Sequence, residues 1–119
     1  MKRNRGNSDF LNGVPELLIL HLLAERPRYG YELVKTLREA SGETLDFGEG
    51  CIYPILHRLE AEGLLESSPQ SVAGRRRFVY RVTTSGRARL DECRSSWSNI
   101  VAGISRVLQG GSHGQPAVA

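Results

Sequence analysis

A mainly α-helical fold with one small β-hairpin is predicted by three features of this sequence. Four segments place apolar residues at helical spacing. Two short runs, Leu64 to Val72 and Phe78 to Val82, read as strands on either side of the basic stretch Ala73 to Arg77. The last helical segment keeps a three-and-four apolar repeat from Leu90 to Val107. Together they describe a winged helix-turn-helix followed by a long C-terminal dimerisation helix.

The totals narrow the class. A chain of 119 residues suits one domain. With 16 Lys+Arg against 13 Asp+Glu the net charge is only +3, so the placement of charge matters more than its sum. Cys51 and Cys93 are far apart and form no CxxC, which indicates neither a disulfide framework nor a zinc ribbon and fits a reducing cytosol. No apolar run approaches the roughly 18 residues that span a bilayer. The basic start, Lys2, Arg3 and Arg5, is followed by Asn and Asp rather than an apolar signal region. A cytoplasmic protein with no membrane partner is expected.

Taken in order, residues 1–12 are polar and basic and read as a flexible arm. Residues 13–83 form the expected winged unit. Val14 to Ala24 is nearly all apolar, with Pro15 and Glu16 suited to a first helical turn. This excess of apolar surface suggests that part of it faces a second subunit. His21 inside it reads as a packed core residue. Arg26-Pro27 breaks that helix, and Tyr29 to Ser41 resumes helical spacing through Leu33, Val34, Leu37 and Ala40 until Gly42.

Gly50 to Leu65 is the stretch that the rest serves. Ile52, Ile55, Leu56 and Leu59 form a buried stripe, while Gly50, Pro54, His57 and Ala61 lie opposite, flanked by Tyr53 and Arg58. Gly63 is placed as a left-handed stop with Leu64 packing back on Leu59. Pro54 removes an N–H and clashes in a regular helix interior, so either the helix starts there or Gly50 absorbs a kink. The basic tip Arg75, Arg76 and Arg77 follows directly, and such a wing reaches a phosphate backbone or the minor groove. A turn that only solubilises would not need three arginines that repel one another.

Thr83 is an N-cap candidate for a final helix spanning 84–108, stopped by Gly110 and Gly111, with 109–119 a disordered tail. Leu90, Cys93, Trp97, Ile100, Ile104 and Val107 make a heptad seam, with Val101 and Leu108 beside it. Such a seam needs a partner, and a second copy of the same helix is the economical one.

Other chemistries fit poorly. Cys51 and His57 are the only nearby nucleophile and base, yet they fall about 240° apart on a helix. No enzyme is expected. His21, Cys51, His57, Cys93 and His113 lack metal-ligand spacing, so neither a metal nor another cofactor is expected. A redox role for Cys51 requires a thiol acidified near a helix start.

The segments LLILHLL, RYGYELVKTL, EGCIYPILHRLEAEGLLES and GRRRFVYRVTTSGRARL resemble, in order and spacing, the short form of the PadR family of winged-helix transcriptional regulators. The resemblance covers residues 13–108 and favours a helix that runs through Pro54. Cys51 departs from it, standing where the family usually has Ser or Thr. It implies a homodimer contacting through the last helix, a regulator that is typically a repressor, and in some members release by a small aromatic or drug-like effector at a pocket that a Trp lines. Trp97 matches that position, and Ile100 lies beside it; a Trp that only packs the seam is the alternative.

The expected partners are therefore double-stranded DNA with a pseudo-palindromic operator, a second copy of the chain, and a hydrophobic or aromatic effector. The expected DNA-facing residues are Tyr31, Gly50, Cys51, Tyr53, Pro54, His57, Arg58, Arg75, Arg76 and Arg77. A winged module that uses its basic wing to hold an acidic protein partner is the competing reading.

Overall fold

The computed structural model describes residues 5–110, with side chains from residue 13 onward. Residues 1–4 of the expected arm and 111–119 of the expected tail lie outside the described residues. Seven elements follow in order: α1 Arg5–Glu25, β1 Arg28–Tyr29, α2 Gly30–Ala40, α3 Glu49–Ala61, β2 Leu65–Val72, β3 Arg75–Val82 and α4 Thr84–Gln109. The first helix begins at Arg5 instead of near Val14, so Pro15 lies inside it rather than in its first turn, and it is fully buried.

Three helices share one core. Ile19, Leu20 and Leu23 of α1 meet Leu33 and Leu37 of α2 and the stripe Ile52, Ile55, Leu56 and Leu59 of α3. Each such side chain contributes roughly 1.5–3 kcal/mol on full burial. The stripe anticipated from spacing is the buried face of α3, and its outer side is thereby left to solvent. The helix runs from Gly48 as N-cap straight through Pro54. It ends in a Schellman motif: Gly63 has φ +80°, the Leu64 N–H donates to the Leu59 carbonyl at 2.9 Å, and the Gly63 N–H donates to the Glu60 carbonyl at 3.0 Å.

The sheet is antiparallel with strand order β1-β3-β2. Its short first strand pairs Arg28 with Tyr80 and Tyr29 with Val79. Spacing gave no sign of β1, because two residues are too few for an alternating pattern. The hairpin register runs from Leu65 opposite Val82 to Val72 opposite Arg75. The turn is therefore only Ala73 and Gly74, with φ of +52° and +76°, the positive pair that marks a type I′ hairpin. This corrects the reading of Ala73 to Arg77 as a loop: the three arginines belong to β3 and alternate between its faces.

The start of α4 is stitched to the end of α3. Thr83 Oγ1 accepts from the Gly86 N–H at 3.0 Å and donates to the Gly63 carbonyl at 2.8 Å. Gly86 is buried with no room for a Cβ, which would run into the Leu64 carbonyl and Val82. From there α4 extends roughly 39 Å at 1.5 Å per residue. Its two halves have different roles. Leu90, 3% exposed, belongs to the protomer's own core, and Cys93 packs against that core. Leu90 is thus taken up by the protomer's own core where an intersubunit seam was expected, since α1 occupies that part of the helix face. Beyond Trp97 the stripe is open, with Ile100, Val101, Ile104, Val107 and Leu108 all exposed, Leu108 by 79%. Among the described residues no helix is long and apolar enough to cross a membrane.

Candidate nucleic-acid interface

Three elements deliver side chains to one shallow cavity of about 180 Å³: Gly30 and Tyr31 from α2, Tyr53 and His57 from α3, and Arg76, Arg77, Phe78 and Tyr80 from β3. Tyr53 sets the spacing between the two helices. A Cβ on Gly30 would stand 2.9 Å from Tyr53 Cε1, so the ring lies directly on the backbone that opens α2. Its hydroxyl is held above the usual tyrosine pKa by burial and by the nearby Glu49, which together outweigh the opposing pull of Arg77. It is consequently a neutral O–H donor at physiological pH. His57 is exposed one turn further on, its ring centroid 6.4 Å from that of Tyr53.

The wing arginines divide the work. Arg77 turns in, its guanidinium carbon 4.4 Å from the centroid of the Tyr31 ring. Tyr31 in turn stacks on Tyr29 at 5.6 Å between centroids, and the Tyr29 hydroxyl donates to Gln70 Oε1 on β2 at 3.1 Å. Arg77 Nε is shut off from solvent and has no hydrogen-bond partner among the described residues. Arg76 turns out and covers the exposed ring of Phe78 at 5.8 Å. Arg75, beside the turn, is exposed. Gly50 and Pro54 are exposed on the same side of α3 as His57, so this side has little bulk and no carboxylate between Gly50 and His57.

Two of the expected residues sit elsewhere. Cys51 and Arg58 are seven apart and share the flank of α3 opposite Tyr53. Cys51 is only half-buried but packs against the core cluster. Arg58 is exposed on that flank and is held by ion pairs. Its Nη2 donates to Glu16 Oε1 at 2.8 Å, and its Nη1 lies 3.4 Å from Glu62. The other oxygen of Glu16 accepts from Arg89 Nη1 of α4 at 3.0 Å. Arg58 is thus an exposed but paired cation, because a largely buried carboxylate on α1 holds its guanidinium. Cys93 Sγ lies 3.6 Å from the same Glu16 Oε2, and burial together with that carboxylate pushes its thiol up to about 11. It is a protonated, weakly nucleophilic thiol at neutral pH.

His21 is partly buried, with Nδ1 2.8 Å from Arg94 Nη2 and Nε2 3.3 Å from Glu25, a paired residue on the α1–α4 boundary. Because a guanidinium only donates, Nδ1 accepts and the proton sits on Nε2. Trp97 is half-buried where the open stripe of α4 begins. Spacing missed Glu16, Arg89, Tyr29 and Phe78. Only the aromatic pair in RYGY hinted at the tyrosine stack, and nothing local to Glu16 marks it as the meeting point of three helices.

The same arrangement of helices and wing recurs in known proteins. The model of the transcriptional regulator PadR-like family matches residues 19–92, a span from α1 through the wing into α4. The chain is 40% identical over 105 residues to the transcriptional regulator Rv3488 of Mycobacterium tuberculosis, a match covering 88% of this chain and 92% of that one. A transcriptional regulator from Clostridium thermocellum superposes with a TM-score of 0.76 at 30% identity, covering 82% of this chain and 96% of its own. A PadR-like transcriptional regulator from Bacillus cereus does so at 0.72 and 33% identity, covering 86% and 98%. Family model, relative and solved structures all take in α2, α3 and the wing, the elements that carry the cavity and its arginines, and the chain belongs to the PadR-like family of transcriptional regulators.

Proposed function

We propose that this regulator binds double-stranded DNA as a homodimer at a pseudo-palindromic operator, represses transcription from it, and is released by a small aromatic or drug-like effector. The observation that carries the DNA reading is the convergence of Tyr31, Tyr53, His57, Arg76 and Arg77 on one cavity beside the bare side of α3. Low bulk at Gly50 and Pro54 lets α3 approach base edges closely. His57 supplies base contact, and tyrosine hydroxyls and wing arginines supply phosphate contact, the division of labour by which proteins read duplex DNA. Arg75 and Arg76, exposed near the turn, suit the backbone or minor groove alongside. Cys51 sits at the edge of that surface and Arg58 outside it.

The open apolar stripe on α4 supports the dimer. Ile100, Val101, Ile104, Val107 and Leu108 are exposed on one helix, a surface that water disfavours and that a second copy covers at no cost in specificity. Two copies predict half-sites about one helical turn apart, roughly 10 base pairs, or a multiple. Trp97 and Ile100 stand where that contact begins, and a planar aromatic effector is assigned to them.

The test is binding to the duplex immediately upstream of the gene, with random-sequence duplex as competitor. Specific retention that His57→Ala redirects to other bases supports base readout by α3. Equal competition by random duplex at every salt concentration refutes operator recognition. Saturable quenching of the fluorescence of Trp97 by planar aromatic compounds, with release of the duplex, tests the effector; quenching that never saturates refutes a defined site.

A further inference from the structure

Resting on the DNA-binding reading for its consequence but not for its geometry, we propose that Glu16 is a positioning residue that fixes the angle between α3 and α4. Two rods joined at one point can still swing about it. The joint here is the end of α3 and the start of α4, where Thr83 bridges to the Gly63 carbonyl and the Gly86 backbone presses on Leu64. Beyond it Leu90 packs α4 on the core, and Glu16 adds a directional polar fastening from the helix between. One carboxylate oxygen takes Arg58 of α3 at 2.8 Å and the other takes Arg89 of α4 at 3.0 Å.

Arg58 lies five residues before Gly63, roughly 7–8 Å along α3, and Arg89 lies six after Thr83, roughly 9 Å along α4. The clamp therefore acts at a lever arm from the joint. The Glu16 side chain is only 12% exposed, against 42% for Arg58 and 36% for Arg89, so the anion is the fixed member and the cations come to it. Pairs this open to solvent add little to overall stability. Their geometry is where they count, because a planar carboxylate shared edge by edge holds both guanidinium groups in defined directions. Whatever rearranges α4, where the second copy and the effector are assigned, is then passed to the DNA-facing helix.

Arg89→Gln is the chosen variant, since Arg89 meets α3 at close range through Glu16, with Glu62 at the C-cap of α3 standing further off at 3.8 Å, and is exposed enough to be replaced without unfolding. In the full-length protein, hydrogen exchange over Ile55 to Ala61 of α3 is expected to quicken, although the substitution lies on α4. Affinity for the upstream duplex is expected to fall several-fold with the salt dependence unchanged, because orientation and not a phosphate contact is lost. Glu16→Gln should reproduce both effects, and the double variant should add nothing. Unchanged exchange in α3 overturns the proposal. So does unchanged affinity in a protein whose parent binds, or a salt slope lowered by about one, which would make Arg89 a phosphate contact. If the parent binds neither the upstream nor a random duplex, the DNA reading fails and the exchange result alone decides the role of Glu16.

Discussion

The guanidinium of Arg77 lies over the ring of Tyr31 at 4.4 Å, fastening the wing to α2 across the cavity in front of α3. Arg76 beside it lies over Phe78 and is exposed. The two arginines should therefore fail differently. On the proposed reading Arg76→Ala should remove one phosphate contact, so that specific and non-specific binding weaken together and the salt slope drops by about one. Tyr31→Ala keeps every arginine but frees Arg77, forfeiting a contact worth about 0.5–1 kcal/mol and a few-fold in affinity, with the slope retained. Fluorescence anisotropy across a salt series separates the two. A reduced slope in Tyr31→Ala would mean that Arg77 reaches phosphate only from its seat on the ring.

Much of this arrangement was legible in the sequence because it depends on short-range pattern. The stripe Ile52, Ile55, Leu56 and Leu59, the Gly63–Leu64 stop and the hairpin each follow from residues within one or two turns of one another. What the sequence left hidden depends on partners distant in the chain. Arg58 looks like a free cation on α3 until Glu16, 42 residues earlier, is seen to hold it. Leu90 and Cys93 continue the same periodic seam as Ile104, and periodicity is indifferent to whether α1 or a second copy fills it. Three consecutive arginines carry no alternating apolar pattern and so read as part of the turn, whereas an Ala-Gly pair with both φ positive closes the turn before them.

The division of α4 yields a paired prediction. Leu90→Ala empties a site in the protomer core and should cost roughly 2–5 kcal/mol in stability, measured by urea denaturation. Ile104→Glu places a charge on the exposed stripe and should leave the protomer's own packing in place. Sedimentation at micromolar concentration should then show monomers for Ile104→Glu, while Leu90→Ala still associates wherever it is folded. Persistent dimers of Ile104→Glu would move the subunit contact to another surface.

At the hairpin, Ala73 adopts a left-handed conformation with φ +52°. That conformation costs an L-residue with a Cβ roughly 1–2 kcal/mol, less for asparagine, whose side chain bonds locally. Asn-Gly is the favoured pair for this turn. Ala73→Asn should raise stability by about 1 kcal/mol, seen as a higher urea midpoint at an unchanged slope. Ala73→Gly should gain less, since glycine adds freedom to the unfolded chain. Neither change touches the cavity, so DNA affinity should hold.

Glu16 gives stability a specific pH dependence. Burial alone would raise its carboxyl, but hydrogen bonds and charge from Arg58 and Arg89 overcome that and hold it below the ordinary 4.5. Around it stand Glu62 at the C-cap of α3 and Glu92 and Cys93 of α4, the thiol neutral because it is pushed up to about 11. A carboxyl with a lowered native pKa stabilises the fold above its unfolded value and loses that contribution as pH falls through the native one. The parent should therefore exceed Glu16→Gln in urea midpoint by the most at neutral pH, and the gap should close as the solution is acidified below 4.5. In Glu16→Gln the amide cannot ionise, so that part of the acid sensitivity disappears while the contribution of the remaining carboxylates persists. A gap of constant size across the titration would mean that shape, and not charge, seats the two arginines on residue 16.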